Sequence, residues 1–129
     1  MSRTVWVLGG TGRTGTAIAT RLIARGIAPV LVGRSADRLQ AIATPLGLAS
    51  IVAAGPEAMA AAIRRERPGV VVNTIGPFVA TSAAIFAACL DVGGDYLDLA
   101  NDMGAVPAVL ARHDDATSAG STIVTGAGF

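Results

Sequence analysis

Closely spaced glycines near the start of the chain are the residues whose types and spacing could do chemistry. Gly9, Gly10, Gly12 and Gly15 follow a short apolar run, residues 5–8, and precede a stretch with helical periodicity. A glycine turn between a strand and a helix brings backbone N–H groups and the positive end of the helix dipole against phosphate oxygens. This pattern predicts a turn that holds the pyrophosphate of a dinucleotide cofactor.

Two glycine registers fit the same turn. The spacing Gly10-x-Gly12-x-x-Gly15 matches the usual dinucleotide-binding pattern, whereas Gly9-x-x-Gly12-x-x-Gly15 matches a variant common in short-chain-type reductases. The sequence leaves both registers open, and a purely structural glycine turn is the alternative interpretation.

The residues after the second predicted strand bear on the choice between NAD and NADP. NAD-preferring sites usually place an acidic residue there to bind the ribose 2′-hydroxyl, but this chain has Gly33-Arg34-Ser35. Arg34 can pair bidentately with a 2′-phosphate, Ser35 can donate a hydrogen bond to it, and Arg13 can reach the same group from the turn. We therefore predict NADP(H) over NAD(H), against the alternative that both arginines are solvated surface residues.

A second candidate loop follows the fourth predicted strand. Asn73 is a polar residue at the end of an apolar run, which indicates contact with a ribose or with loop backbone, and Gly76-Pro77 gives a fixed loop that can approach a ligand closely. We expect Asn73, Gly76 and Pro77 to line the cofactor, with a plain turn and a capping asparagine as the alternative.

Alternating strand and helix patterns run through the whole chain and position these residues. Strands are predicted at residues 5–8, 29–33, 48–53, 70–75, 96–99 and 122–124, and helices at about 14–25, 35–46, 56–67, 80–92 and 106–119. This alternation predicts an α/β fold with a doubly wound parallel sheet of about six strands between two helix layers, the Rossmann fold.

Length and composition favour one domain with a buried sheet. The chain has 129 residues, 52% of them hydrophobic, with few aromatics and a net charge of +1. So weak a charge, spread along the chain, predicts neither nucleic acid nor a membrane surface as a partner. All ten basic residues are arginine, and the absence of lysine excludes a kinase-type phosphate loop and lysine Schiff-base chemistry.

The compartment is predicted from what the sequence does not contain. Cys89 is the one cysteine and cannot form an internal disulfide, the N-terminus shows no secretory signal, and no apolar run approaches the roughly 20 residues of a membrane span. We expect a cytoplasmic protein without a membrane partner.

Other polar residues are weaker candidates for chemistry. Asp98 and Asp102 could act as an acid–base pair, but we favour Asp98 as a polar strand end near the site and Asp102 as a helix cap. Tyr96 does not match the catalytic tyrosine of short-chain dehydrogenases, because Ala100 stands where that chemistry needs lysine. His113 is expected to be solvated, and no metal site is predicted.

Taken together, these residues resemble the N-terminal NADP-binding domain of the saccharopine dehydrogenase-like family, including its trans-acting enoyl reductase branch. The resemblance rests on residues 9–15, Val32-Gly33-Arg34, residues 73–78 and residues 89–102, and the closing residues 126–129 look like the family segment that leads towards the substrate domain. It implies a Rossmann fold, NADP(H), and hydride transfer to or from a carbon–nitrogen or carbon–carbon double bond.

Residues 1–129 are therefore expected to form one NADP-binding domain of a longer oxidoreductase. The substrate domain lies outside this chain, so turnover by the chain alone is not expected. A non-catalytic NADP(H) sensor that acts through a partner protein is the alternative, and exposed sheet edges are compatible with a homodimer. The candidate cofactor-binding residues are Gly9, Gly10, Thr11, Gly12, Arg13, Thr14, Gly15, Arg34, Ser35, Asn73, Gly76 and Pro77.

Overall fold

The computed structural model describes residues 3–101 and 104–127. Its strands are β1 (Val5–Leu8), β2 (Val30–Gly33), β3 (Ser50–Val52), β4 (Val70–Asn73), β5 (Asp95–Asp98) and β6 (Ile123–Val124). Its helices are α1 (Arg13–Ala24), α2 (Ala36–Leu46), α3 (Pro56–Glu66), α4 (Phe78–Val92), α5 (Ala105–Leu110) and α6 (His113–Ala119).

All of these strands join one parallel sheet in the order β3-β2-β1-β4-β5-β6. The chain builds outwards from β1 to β3 on one side, then crosses back to place β4 against the other side of β1. This order confirms the predicted doubly wound α/β fold. It also puts the topological switch point between β1 and β4, where a crevice opens at the carboxyl ends of the strands.

The central strand β1 is apolar throughout because helices cover both faces of the sheet. Val7 packs with Leu31 and buried residues of α1 and α2, whereas Trp6 and Leu8 point to the opposite face, into a cluster with residues of α3, α4 and α5. A strand that is buried on both sides carries no polar alternation.

Several predicted boundaries differ from the structure by one or two residues, and two differences have identifiable reasons. The predicted helix 106–119 is two helices, because the N–H of Arg112 turns to the carbonyl of Val109 (3.0 Å) and Arg112 leaves helical geometry at φ −94°, ψ 21°. Its guanidinium lies 5.5 Å from the ring centre of Phe86. Strand β4 ends at Asn73 rather than at residue 75, because the Asn73 side chain takes the N–H of Ile75.

No helix in the described ranges, 3–101 and 104–127, is long and apolar enough to span a membrane. The predicted cap Asp102 lies outside these ranges.

Candidate functional site

The glycine turn between β1 and α1 is a tightly hydrogen-bonded backbone loop. The N–H groups of Gly9 and Gly10 both donate to the carbonyl of Val32 on β2, at 2.9 and 3.2 Å, and the N–H of Gly12 donates to the carbonyl of Gly9 at 3.0 Å. Gly9 has φ +83°, a conformation that other residues rarely adopt. The turn therefore anchors the start of α1 to β1, which it follows, and to β2, which accepts its hydrogen bonds.

Close packing explains why side chains are excluded from most of this turn. A Cβ on Gly15 would overlap the Gly9 carbonyl oxygen, one on Gly10 would lie 2.8 Å from Leu31 Cβ, and one on Gly9 would lie 2.5 Å from Thr74 Oγ1. Gly12 is different, since a Cβ there would meet only the Gly9 oxygen, at 3.4 Å. Packing thus requires glycine at positions 9, 10 and 15, whereas position 12 has room for a Cβ.

The N-terminus of α1 is free to bind an anion. Gly12 precedes the helix in extended geometry, no side chain of the described residues caps the helix, and its first turn carries no acidic residue. The first N–H groups of a 12-residue helix therefore face outwards with the positive end of its dipole. This arrangement is suited to a phosphate or pyrophosphate.

A groove of about 440 Å³ opens over this helix end at the switch point. Its volume lies within the range typical of small-molecule sites. The walls are formed by Gly9, Thr11, Gly12, Arg13, Thr14, Gly15, Gly33, Arg34, Gly55, Pro56, Met59, Thr74, Ile75, Gly76 and Thr81. The groove therefore brings together the glycine turn, the end of β2, the start of α3 and the loop after β4.

Two exposed arginines, Arg13 and Arg34, line this groove. Within the described part of the chain, neither forms an ion pair with a carboxylate; the cations that do are Arg3, Arg64, Arg65 and Arg112. Both guanidinium groups are thus available to an anionic ligand. Their fork of donors suits a phosphate monoester.

Four predicted site residues lie outside the groove wall. Gly10 is buried against β2, and Pro77, whose peptide bond with Gly76 is cis, precedes α4 at the surface. Ser35 caps α2, where its Oγ accepts from the N–H of Arg38 at 3.4 Å, which leaves the hydroxyl hydrogen free to donate. Asn73 is fully buried beneath the loop after β4.

The buried side chain of Asn73 stabilises that loop by hydrogen bonds. Its Oδ1 accepts the N–H of Ile75 at 3.1 Å, and its Nδ2 lies 3.3 Å from both Thr81 Oγ1 and the Tyr96 hydroxyl. The contact is with loop backbone, which is one of the two roles that the sequence predicted.

Tyr96 and Asp98 continue this buried polar cluster on β5. The Tyr96 hydroxyl donates to Asp98 Oδ2 at 2.8 Å, and Asp98 is fully buried. Burial is the main cause that raises the pKa of Tyr96; the hydrogen bond from Asn73 lowers it, and the negative charge of Asp98 raises it further. Tyr96 is therefore a neutral hydrogen-bond donor at neutral pH.

Sequence reasoning missed the wall of the groove that α3 supplies. Gly55, Pro56 and Met59 follow β3, and Gly55 has φ +93°. Pro56 was interpreted only as the start of a helix. The available signal was positional, because the loop after β3 reaches the same carboxyl edge of the parallel sheet as the glycine turn.

The chain spans 31% of the length of curated relatives called trans-acting enoyl reductase. It is 30% identical to those from Mycobacterium bovis and Mycobacterium tuberculosis, over an alignment of 129 residues that covers 94% of this chain. A relative with the same name from Mycobacterium ulcerans is 33% identical over 105 residues, which cover 77% of this chain and 25% of the relative.

Solved structures share the fold at low sequence identity. Apo saccharopine dehydrogenase (L-Glu forming) from Saccharomyces cerevisiae superposes with a TM-score of 0.79 at 19% identity, covering 98% of this chain and 27% of that one. A yeast methylglyoxal/isovaleraldehyde reductase complexed with NADPH gives 0.65 at 15% identity, covering 74% and 36%.

The family match extends over almost the whole sheet. The model of the saccharopine dehydrogenase NADP binding domain matches residues 5–124, from the first residue of β1 to the last of β6. The glycine turn, the groove and Arg34 all lie within this match. The chain therefore belongs to the saccharopine dehydrogenase NADP-binding domain family and is related to the trans-acting enoyl reductases.

Proposed function

We propose that residues 1–129 form the NADP(H)-binding domain of a longer oxidoreductase, which transfers hydride to or from a carbon–nitrogen or carbon–carbon double bond. One observation carries the proposal: the N-terminus of α1 and two arginines, all without a carboxylate partner among the described residues, face the same groove. The relatives' names support the chemistry, since an enoyl reductase reduces a carbon–carbon double bond and a saccharopine dehydrogenase acts at a carbon–nitrogen bond.

The residues of the groove fit the parts of this cofactor. The turn from Gly9 to Gly15 would hold the pyrophosphate, because the first N–H groups of α1 have no side-chain cap among the described residues and the glycine at position 12 leaves room for close approach. Arg34, at the end of β2, would pair with the 2′-phosphate, with Arg13 and the Ser35 hydroxyl as further donors. The dinucleotide would then cross the switch point towards Thr74 and Gly76.

NADP(H), when bound, supplies the hydride. The chain's own residues bind and orient it: the α1 turn fixes the phosphates, Arg34 selects the phosphorylated ribose, and the loop after β4 forms the wall beside the other half of the groove.

Cofactor preference tests this function. NADPH and NADH are titrated into the wild-type chain, Arg34→Asp and Arg38→Asp, and binding is followed by the fluorescence of the reduced nicotinamide. Arg38 is the matched control, because it is an exposed arginine on α2 that does not line the groove.

We expect the wild type and Arg38→Asp to bind NADPH at least about tenfold more tightly than NADH, the value of one charge-assisted contact. Arg34→Asp should lose this preference. Equal affinity of the wild type for both cofactors, or an unchanged preference in Arg34→Asp, would contradict the assignment.

A further inference from the structure

A path of hydrogen bonds, buried at its centre, runs from the groove to the residues that follow β6. It starts at Ile75, whose N–H donates to Asn73 Oδ1 at 3.1 Å, and it continues from Asn73 Nδ2 to the Tyr96 hydroxyl at 3.3 Å. Tyr96 donates to Asp98 Oδ2 at 2.8 Å. Asp98 Oδ1 accepts from the N–H of Gly126 at 3.0 Å, so the path connects β4 and β5 with the segment that follows β6.

The donors and acceptors along this path allow one direction. Because Asn73 Oδ1 accepts from Ile75, its Nδ2 faces Tyr96 and can only donate. The Tyr96 hydroxyl accepts this hydrogen bond, which leaves its own hydrogen for the Asp98 carboxylate. Tyr96 is thus the one link between an amide that must donate and a carboxylate that must accept.

Ile75, where the path meets the groove, forms hydrogen bonds through both its N–H and its carbonyl group. Asn73 takes the N–H of Ile75, and Thr81 Oγ1 donates to the Ile75 carbonyl at 2.8 Å. Thr74 Oγ1 also donates to the Leu8 carbonyl at 2.7 Å. The loop of residues 74–76 therefore cannot change conformation without breaking these partly buried hydrogen bonds, and all three of its residues line the groove.

The position of this loop identifies the part of a dinucleotide that it would touch. Arg34, proposed to bind the 2′-phosphate, follows β2 on one side of the switch point, and residues 74–76 follow β4 on the other side. A dinucleotide that crosses between them would place its adenosine half near Arg34 and its nicotinamide half near the loop.

We propose that the Tyr96 hydroxyl is a positioning group for the nicotinamide half of the cofactor. By joining Asn73 to Asp98 it fixes the 74–76 loop, although Tyr96 is buried beneath the groove and touches no ligand itself. The inference rests on the proposed function, because it takes NADP(H) as the occupant of the groove.

The test compares the binding of the whole cofactor with the binding of its adenosine half alone. Tyr96→Phe removes only the hydroxyl and keeps the ring, which packs edge-on against Phe86 with 5.5 Å between centroids. Two probes are titrated: NADPH, and adenosine 2′,5′-bisphosphate, which lacks the nicotinamide half. We expect Tyr96→Phe to weaken NADPH about fivefold to tenfold, the net contribution of one buried hydrogen bond, and to leave the bisphosphate unchanged.

Phe86→Leu is the matched control, because it disturbs packing at the same ring without touching the hydroxyl. It should lower Tm and leave both affinities unchanged. If Tyr96→Phe does not fold, Asp98→Asn is the second variant: its amide oxygen stays with the donors at Ala100, Thr125 and Gly126, so its amide nitrogen, which cannot accept, faces the Tyr96 hydroxyl. It should give the same split between the probes.

Unchanged NADPH affinity in a folded Tyr96→Phe, or an equal loss for both probes, would overturn the positioning role. A wild-type chain that binds neither probe would overturn the proposed function and this inference with it. A wild type that binds both probes, with a variant that fails to separate them, would overturn the inference alone.

Discussion

The glycines of the α1 turn have separable roles at the scale of single residues. A Cβ on Gly15 would overlap the Gly9 carbonyl oxygen, whereas a Cβ on Gly12 would find ordinary contact distance and otherwise open space. Gly15→Ala must therefore displace α1 from β1, and Gly12→Ala need not.

We predict that Gly15→Ala loses about 2 kcal/mol or more of unfolding free energy, in the range of overpacking, together with NADPH binding. Gly12→Ala should stay within about 0.5 kcal/mol of the parent but weaken NADPH about tenfold, because its methyl group enters the phosphate end of the groove. Urea unfolding and NADPH titration measure the two effects. Similar stability of the two variants would contradict the packing argument.

The buried thiol of Cys89 makes stability depend on alkaline pH. Burial, with a smaller contribution from the charge of Asp95, raises its pKa from 9.0 to about 12. The unfolded chain therefore releases this proton at lower pH than the folded chain. The thiol's contribution is complete below pH 9 and is lost as pH rises from 9.0 to about 12. The raised pKa of Tyr96 adds a second loss that begins near 10.0.

Cys89→Ala is accordingly predicted to flatten the fall in unfolding free energy between pH 9 and about 10, where the thiol contributes most of it. The measurement is urea unfolding at a series of pH values. Ala88→Gly, at the neighbouring buried position, should lower stability at every pH without changing the slope. Identical slopes in Cys89→Ala and the parent would refute the assignment.

Single residues also show where sequence reasoning stops. The exposed position of Arg34 was predictable, because it depends only on where strand β2 ends. The partners of Asn73 lie in the loop after β4, on α4 and on β5, and no local pattern reveals that Tyr96 lies beside it. Contact between Asn73 and the cofactor stays a prediction.

Helix ends are the clearest case at the scale of elements. Gly47, Gly93 and Gly120 end α2, α4 and α6 with positive φ, as helix-terminating glycines commonly do. Helix α3 ends instead at Arg67, which has φ 54° without being glycine. This backbone geometry is unfavourable for a residue with a Cβ.

Arg67→Gly is predicted to stabilise the domain by about 0.5 to 1 kcal/mol, the relief of left-handed strain less the greater flexibility of glycine in the unfolded chain. The control is Ala61→Gly, at an exposed position inside α3, which should cost about 1 kcal/mol. Chemical denaturation followed by circular dichroism gives both values. A loss of stability in Arg67→Gly would show that the strain is absent.

Most elements were predictable because their ends carry local signals. Pro56 marks the start of α3, and Gly47 marks the end of α2. The break between α5 and α6 carries no such signal, since it coincides with the packing of Arg112 on Phe86, a residue far away in the sequence. Long-range contacts of this kind decide the boundaries that periodicity cannot predict.

At the scale of the whole molecule, the alternation of strands and helices predicted the sheet and its switch point. The shape of the groove was less predictable, because it needs the glycine turn, the end of β2, the start of α3 and the loop after β4 to meet at one edge. Each of these pieces is local, but their meeting depends on the strand order β3-β2-β1-β4. The α3 wall at Gly55 shows this best, since it reaches the site only through that order.

The central strand also carries an optical probe of the whole sheet. Trp6 is the one tryptophan of the chain, is 2% exposed, and lies on β1 between Val30 and Val71 of the adjoining strands. Its indole becomes exposed to water only when the sheet separates from the helices that cover it. Its emission therefore reports global unfolding rather than fraying at a helix end. Trp6 also lies three residues before Gly9, the start of the glycine turn, so a reduced nicotinamide cofactor in the proposed site would quench its emission by energy transfer.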